Sequence, residues 1–201
     1  MTSAANRKIT LDQLNKVNSA ITLLEIIYGN VQNIELPIDV DFITNSIDKV
    51  KLSQELDFNH LDKAGLIKVS RNDNNDVNAI KIWVNPLEPE VRQRFTQAHE
   101  IGHLIYDIFP ELDNPKLDDE FIDVLHRKEG VKSFRETRAN RFSAQLLMPS
   151  ALVNSEINKL ILKVKSTNKK MTKEEVITHL SSVFLTSNDA MKYRLKDLNV
   201  I

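Results

Sequence analysis

Two histidines and a glutamate stand at fixed spacing in the stretch RFTQAHEIGHLIYD, which covers residues 94–107. On an α-helix, positions four apart are offset by only about 40°, so His99 and His103 would project from one face, one turn apart. Two imidazoles in this arrangement can both bind one Zn²⁺ ion. Glu100 would lie beside the first histidine, where its carboxylate can act on a water molecule at the metal without being a ligand. This HExxH spacing predicts a hydrolytic zinc site.

The alternative is a buried helix whose histidines merely find hydrogen-bond partners. Three observations favour the metal site over that alternative. The chain has only 5 histidines in 201 residues, and the motif follows a strand-like segment. Around the motif, Phe95, Ala98, Ile101 and Leu104 have the spacing of an amphipathic helix. A helix that carries this motif is therefore the favoured interpretation.

A catalytic zinc usually takes three protein ligands, so a third ligand must be found. The metzincin pattern would require a histidine or aspartate six residues after His103. That position holds Phe109, and Tyr106 stands at the usual glycine position. The metzincin arrangement is therefore excluded.

The best source of a third ligand is RETRANRFSAQLLMP, over residues 135–149. Glu136 and Asn140 are four apart, so they would share a helical face. Glu136 could complete the coordination shell, and Asn140 could accept the outer ring N–H of a histidine ligand. Spacing alone leaves open that Glu136 is a surface carboxylate paired with a neighbouring arginine. The competing ligands are His126, Asp118, Asp119 and Glu120.

Hydrophobic periodicity predicts an α+β fold that is rich in helix, with a small, mostly antiparallel sheet and C-terminal helices. The predicted strands, residues 66–69 and 79–84, flank the polar tract SRNDNNDVN, which is typical of a hairpin loop. The predicted helices cover residues 10–28 with Thr10 as cap, a short segment after Pro37, a long segment from about Glu88 through the motif, residues 133–148, residues 172–184 with a Thr172–Glu175 capping box, and residues 188–198. We expect a peptidase-type domain with an N-terminal helix over residues 1–149. Residues 150–201 are expected to form a helical extension packed on it.

Composition excludes several classes of function. The 27 Lys+Arg nearly cancel the 28 Asp+Glu, so bulk charge favours neither nucleic-acid nor membrane binding. The chain contains no cysteine, which excludes disulfides and thiolate metal ligands and fits a reducing compartment. The N-terminus lacks the apolar segment of a signal peptide, and no run approaches 18 apolar residues. We therefore expect a cytoplasmic protein without a membrane span.

The motif region, followed by ETRANRFSAQLLMP, strongly resembles the ImmA/IrrE metallopeptidases. LPIDVDFI, IKIWVN and VFLTSNDAMKYRLKDL are also similar to that family, so that the resemblance covers roughly residues 36–198. It implies a gluzincin-like zincin core with one zinc ion. The implied ligands are His99, His103 and Glu136, and Glu100 is the implied catalytic acid/base. Where the family often carries an acid, this chain has Arg138, which changes the local charge.

The resemblance also implies an intracellular zinc endopeptidase that cleaves a protein partner, a helix-turn-helix repressor, as a regulatory switch. One alternative is a non-proteolytic binding module for a toxin–antitoxin or repressor partner. Another is a DNA-binding regulator that uses the C-terminal helices. The DNA-binding hypothesis is not favoured, because Lys192, Arg194 and Lys196 are spaced two residues apart and cannot line one helical face.

Two further expectations concern the surroundings of the site. The strand over residues 80–84 could offer its edge to an extended substrate, or it could be a simple core strand, with Trp83 expected in the core. Tyr106 and His126 could donate to the oxyanion of the transition state, although a structural role is the favoured interpretation of each.

Overall fold

The computed structural model describes residues 8–113, 120–121, 134–167 and 170–201, with the backbone only at 120–121. The helices are α1 (Leu11–Leu14), α2 (Ala20–Tyr28), α3 (Val40–Ser46), α4 (Glu90–His103), α5 (Phe134–Leu147), α6 (Ser150–Thr167), α7 (Lys173–Phe184) and α8 (Asn188–Asp197). The strands are β1 (Val50–Ser53), β2 (Gly65–Arg71), β3 (Val77–Val84) and β4 (Glu120–Phe121). Short 3₁₀ turns cover Val31–Asn33 and Phe109–Glu111, and a π-helical turn covers Leu104–Ile108.

The prediction of one N-terminal helix over residues 10–28 is wrong, because the structure has two helices there. Thr10 caps α1, as predicted, and forms a capping box with Gln13, but α1 ends at Leu14. Ser19 then starts α2 as a new N-cap, since its hydroxyl accepts the backbone N–H of Thr22 at 3.2 Å. A serine at the N-cap accepts a hydrogen bond from one of the unpaired backbone N–H groups at the start of a helix. Ser19 therefore favours the start of a second helix here over the continuation of α1.

The four strands form one sheet in the order β1-β3-β2-β4. The hairpin of β2 and β3 confirms the two predicted strands, and β4 also pairs antiparallel to β2. Strand β1, which was not predicted, pairs parallel to β3. Strand β3 is therefore bonded on both sides, and the idea that its edge binds substrate is wrong. It is a core strand, and Trp83 is buried in it with its indole N–H donating to the Glu55 carbonyl at 2.7 Å.

Helix α4 lies at the centre of the molecule, between the sheet and α5. Glu90 places a negative charge in its first turn, where the helix dipole favours one. The last two turns, residues 96–103, are buried, although several of these residues are polar. Burying a polar side chain costs free energy unless the side chain has a hydrogen-bond partner or binds a ligand. The C-terminal half of α4 is therefore the best candidate for a functional site.

The C-terminal helices share the hydrophobic core with α4 and α5. The predicted capping box of α7 is confirmed, with the Thr172 backbone N–H donating to Glu175 at 2.7 Å. Arg194 on α8 is buried, and its Nε donates to the carbonyl oxygen of Met148 at 2.9 Å, just beyond the end of α5. The division of the chain at residue 149 stays a prediction.

The architecture is α+β, rich in helix with a small mixed sheet, and it matches a zincin-like core. Two of the three strand pairings are antiparallel, as expected. Within the described parts of the chain, each helix is too short or too polar to cross a lipid bilayer.

Candidate metal centre

Helix α4 brings the two histidines of the motif together. Their rings approach edge to face, with centroids 4.6 Å apart. Their Nε2 atoms lie 2.9 Å from each other and point into the same space. Both side chains are buried. Because they lie four positions apart on one helix, their two imidazole nitrogens can bind the same metal ion.

Helix α5 brings Glu136 to the same point. Its Oε2 lies 3.3 Å from Nε2 of His99, and its Oε1 lies 3.4 Å from Nε2 of His103. The close approach of the two helices depends on Gly102 and Ala139. A Cβ atom added at Gly102 would lie only 3.2 Å from the Ala139 Cα, which is closer than ordinary carbon contacts.

The donor set fits a zinc ion. The potential ligand atoms of His99, His103 and Glu136 all lie within 4.8 Å of one another. Two imidazole nitrogens and one carboxylate are a typical set for a catalytic zinc, which keeps a fourth position open for water or substrate. The structure thus brings together the three predicted ligands. Among their competitors, His126, Asp118 and Asp119 lie outside the described residues, and no side chain is described for Glu120.

Glu100 is 1% exposed and lines a cleft of about 190 Å³ beside His99. The start of β2 also lines this cleft, and Gly65 there comes close to the side chains of α4. A Cβ atom added at Gly65 would lie 2.7 Å from Oε1 of Glu100 and 2.6 Å from Cγ2 of Thr96. Sequence reasoning did not identify Gly65, although a glycine that opens a strand in a chain with 4 glycines is a usable signal.

A carboxylate that the sequence reasoning missed supports the second histidine. Oδ2 of Asp107 lies 2.8 Å from Nδ1 of His103, and the Asp107 side chain is only 3% exposed. The π-helical turn that follows His103 carries Asp107, and such turns often occur at functional sites. A carboxylate on the outer nitrogen of a ligand histidine fixes its tautomer and ring orientation. The signal was its position four residues after His103.

His103 and two arginines of α5 favour the ionised form of Asp107. Arg138 donates from Nη2 to Oδ1 of Asp107 at 2.6 Å, and Nε of Arg135 lies 3.6 Å from the same oxygen. Burial acts to raise the pKa of Asp107, but the hydrogen bond with His103 and the charges of His103 and both arginines outweigh it and lower this pKa. Arg138, which stands where the family often has an acid, therefore forms an ion pair with Asp107 in this chain.

Tyr106 has a structural role, as the favoured interpretation held. Its hydroxyl donates to the Asn18 carbonyl oxygen at 3.0 Å, and its ring packs edge to face on Phe142. The guanidinium of Arg138 lies 4.5 Å from the ring centroid on one face. The other oxyanion candidate, His126, lies outside the described residues.

Asn140 is exposed and lines the cleft together with His99 and Glu100. The prediction that it accepts the outer N–H of a histidine ligand does not hold for His103, whose outer nitrogen already faces Asp107. For His99 it stays a prediction.

Comparison with known protein families identifies the family of the chain. The family model Peptidase_M78, described as the IrrE N-terminal-like domain, matches residues 62–196. The matched region starts just before β2, contains both helices of the metal centre and extends through α8. The segment over residues 36–61, which also entered the predicted resemblance, lies outside it. No curated protein matches the chain significantly. With more than half of its length in that match, the chain belongs to the Peptidase_M78 family, the ImmA/IrrE metallopeptidases.

Proposed function

We propose that the protein is a zinc-dependent endopeptidase that hydrolyses a peptide bond in a specific protein partner. The observation that carries the proposal is the convergence of His99, His103 and Glu136, from two helices, next to a cleft that His99 lines together with Glu100. A structural zinc site is usually closed by four protein ligands. Among the residues that the structure describes, three ligands converge and one of them lines a cleft, which is the arrangement of a catalytic site.

In this proposal His99, His103 and Glu136 hold the zinc ion. When bound, zinc lowers the pKa of a water molecule to about 7 and polarises the carbonyl group of the substrate. Glu100 accepts a proton from the attacking water and then delivers it to the leaving amine nitrogen. Burial of Glu100 strengthens its electrostatic interactions in the cleft. Asp107 keeps the His103 ring oriented while the proton moves.

Metal content tests the ligand set. We expect the wild-type protein, after chelation and reloading, to bind one zinc ion per chain by mass spectrometry. Glu136→Ala should lose most of this zinc at the same free metal concentration. The matched control is Glu174→Ala, which removes an exposed glutamate from the first turn of α7. If Glu136→Ala kept its full zinc content, Glu136 would not be a zinc ligand.

Cleavage tests the role of Glu100. Wild-type protein with zinc should cut members of a proteome-derived peptide library, with products identified by mass spectrometry. Glu100→Gln should keep the zinc and lose cleavage, because the amide cannot accept the proton. Glu90→Gln, an exposed position on the same helix, is the control and should cut at the wild-type rate. A Glu100→Gln variant that cuts at the wild-type rate would show that Glu100 is not the base.

We further propose that the partner is a helix-turn-helix repressor in the cytoplasm and that cleavage is a regulatory switch. Family membership supports this step. Purified helix-turn-helix repressors from the same organism, incubated with wild type and with Glu100→Gln, provide the test. One repressor should be cut at a single bond by wild type only. If a repressor is bound and inactivated equally by both proteins, the protein acts by docking and the proteolytic switch is refuted.

The structure gives little support to DNA binding by the C-terminal helices. Arg194 is 7% exposed, and its guanidinium donates a hydrogen bond to the Met148 carbonyl oxygen inside the protein. Lys192 and Lys196 remain exposed on α8, but they lie four apart without an arginine on the surface between them. A phosphate-binding surface would need more basic side chains on one face.

A further inference from the structure

A second cavity lies next to the metal cleft. It has a volume of about 380 Å³, within the range of ligand pockets in proteins. One wall is the first half of α4 and the other is the turn between α7 and α8. The residues that line it include Val91, Arg92, Phe95, Thr186, Ser187 and Ala190.

This cavity adjoins the cleft of the candidate metal centre. Arg92 and Phe95 line both the cavity and the metal cleft. Phe95 lies one helical turn before His99, and the centroids of their two rings are 6.5 Å apart. An extended peptide advances about 3.3 Å per residue, so a substrate whose scissile bond lay at His99 would place a residue about two positions away beside Phe95.

The cavity wall offers little to a polar ligand. The hydroxyl of Ser187 accepts the Ala190 backbone N–H at 3.1 Å as the N-cap of α8. The hydroxyl of Thr186 is directed to the Met148 sulfur at 3.8 Å. The charge of Arg92 faces Glu88, with Nε 3.4 Å from the carboxylate. The polar groups around the cavity thus have partners in the protein, and Val91, Phe95 and Ala190 supply the apolar surface.

We propose that this cavity binds a large apolar side chain of the substrate, such as leucine, methionine or phenylalanine, within about two residues of the scissile bond. The inference rests on the proposed peptidase function. The occupant follows from the apolar wall, the volume and the shared residues with the metal cleft. It would make the turn between α7 and α8 a part of substrate selection. A pocket of this kind discriminates between a large apolar residue and a small or charged one by roughly 10- to 100-fold in kcat/KM.

The cleavage-site preference tests this proposal. Among the library peptides that wild type cuts, we expect enrichment of large apolar residues at one position near the scissile bond. Ala190→Phe and Val91→Phe fill the cavity from opposite walls, and each should reduce that preference by at least 10-fold while leaving zinc content unchanged. Lys192→Phe adds the same side chain at an exposed position of α8 outside this cavity and should leave the preference intact. Circular dichroism of each variant establishes that it is folded.

Cleavage without an apolar preference, or a preference that both folded cavity variants retain, would overturn the pocket inference and leave the peptidase proposal standing. If wild type cuts no peptide, the peptidase proposal fails, and binding decides the pocket separately. N-acetyl-leucine amide should then shift the NMR signal of the Ala190 methyl group, whereas N-acetyl-aspartate amide should not. No shift with the leucine probe would overturn the pocket inference as well.

Discussion

Replacing Gly65 by alanine should separate catalysis from zinc binding. The new methyl carbon would lie 2.6 Å from Cγ2 of Thr96, about 0.9 Å inside the closest favourable carbon contact. It would also lie 2.7 Å from Oε1 of Glu100. Because this distance is too short for a carbon–oxygen contact, the Glu100 carboxylate must shift from its position in the cleft. None of the three predicted zinc ligands is among the atoms nearest to the new methyl group.

The expected size of the effect follows from this overlap. A misplacement of about 1 Å at a reacting group can lower the rate on the order of 10²-fold. Overpacking a buried site costs about 1–3 kcal/mol in the free energy of unfolding. We expect Gly65→Ala to cut a library peptide about 100-fold more slowly than wild type. Its melting temperature should fall by several degrees, while one zinc ion per chain is retained.

The matched control is Gly29→Ala, at the end of α2. Gly29 has a φ of +77°, so an alanine there is strained, but nothing lies within 4 Å of its added Cβ. It should lower the melting temperature without lowering the cleavage rate. A wild-type rate in Gly65→Ala, or an equal loss of rate in Gly29→Ala, would refute the argument that the methyl group acts by displacing Glu100.

The remaining predictions concern the support of the site and of the fold. Asp107→Asn removes the charge next to His103, and it should raise the zinc dissociation constant roughly 10- to 100-fold in a competition titration with a chelator; an unchanged constant would show that this contact does not tune the ligand. Ser19→Ala removes the cap of α2 and should lower the free energy of unfolding by about 1 kcal/mol in urea titrations, with no change in zinc content. Arg194→Met leaves the Met148 carbonyl without its buried donor and should cost about 1–3 kcal/mol by the same method. If Arg194→Met were neutral, the buried hydrogen bond would not help to anchor α8.

Local patterns were enough to predict the parts of the fold and of the site that depend on spacing along one element. The HExxH helix, the hairpin and the capping box at Thr172 are of this kind. Asp107 was missed although it stands four residues after His103, a spacing at which two side chains of one helix can meet. The pairing of β3 with β1 was missed because it joins segments about thirty residues apart through hydrogen bonds that leave no mark on either segment alone. The break before Ser19 could have been predicted, since a capping serine stood inside the proposed helix.

The contact between Gly102 and Ala139 has a consequence for how finely the coordination geometry is controlled. Each residue lies within one helical turn of a predicted ligand, Gly102 beside His103 and Ala139 three positions after Glu136. The interaxial spacing is therefore determined by main-chain atoms, which cannot change rotamer. A side chain at position 102 would press on the main chain of α5, the helix that carries Glu136. The geometry of the metal centre therefore depends on the spacing of two main chains as well as on the three ligand side chains.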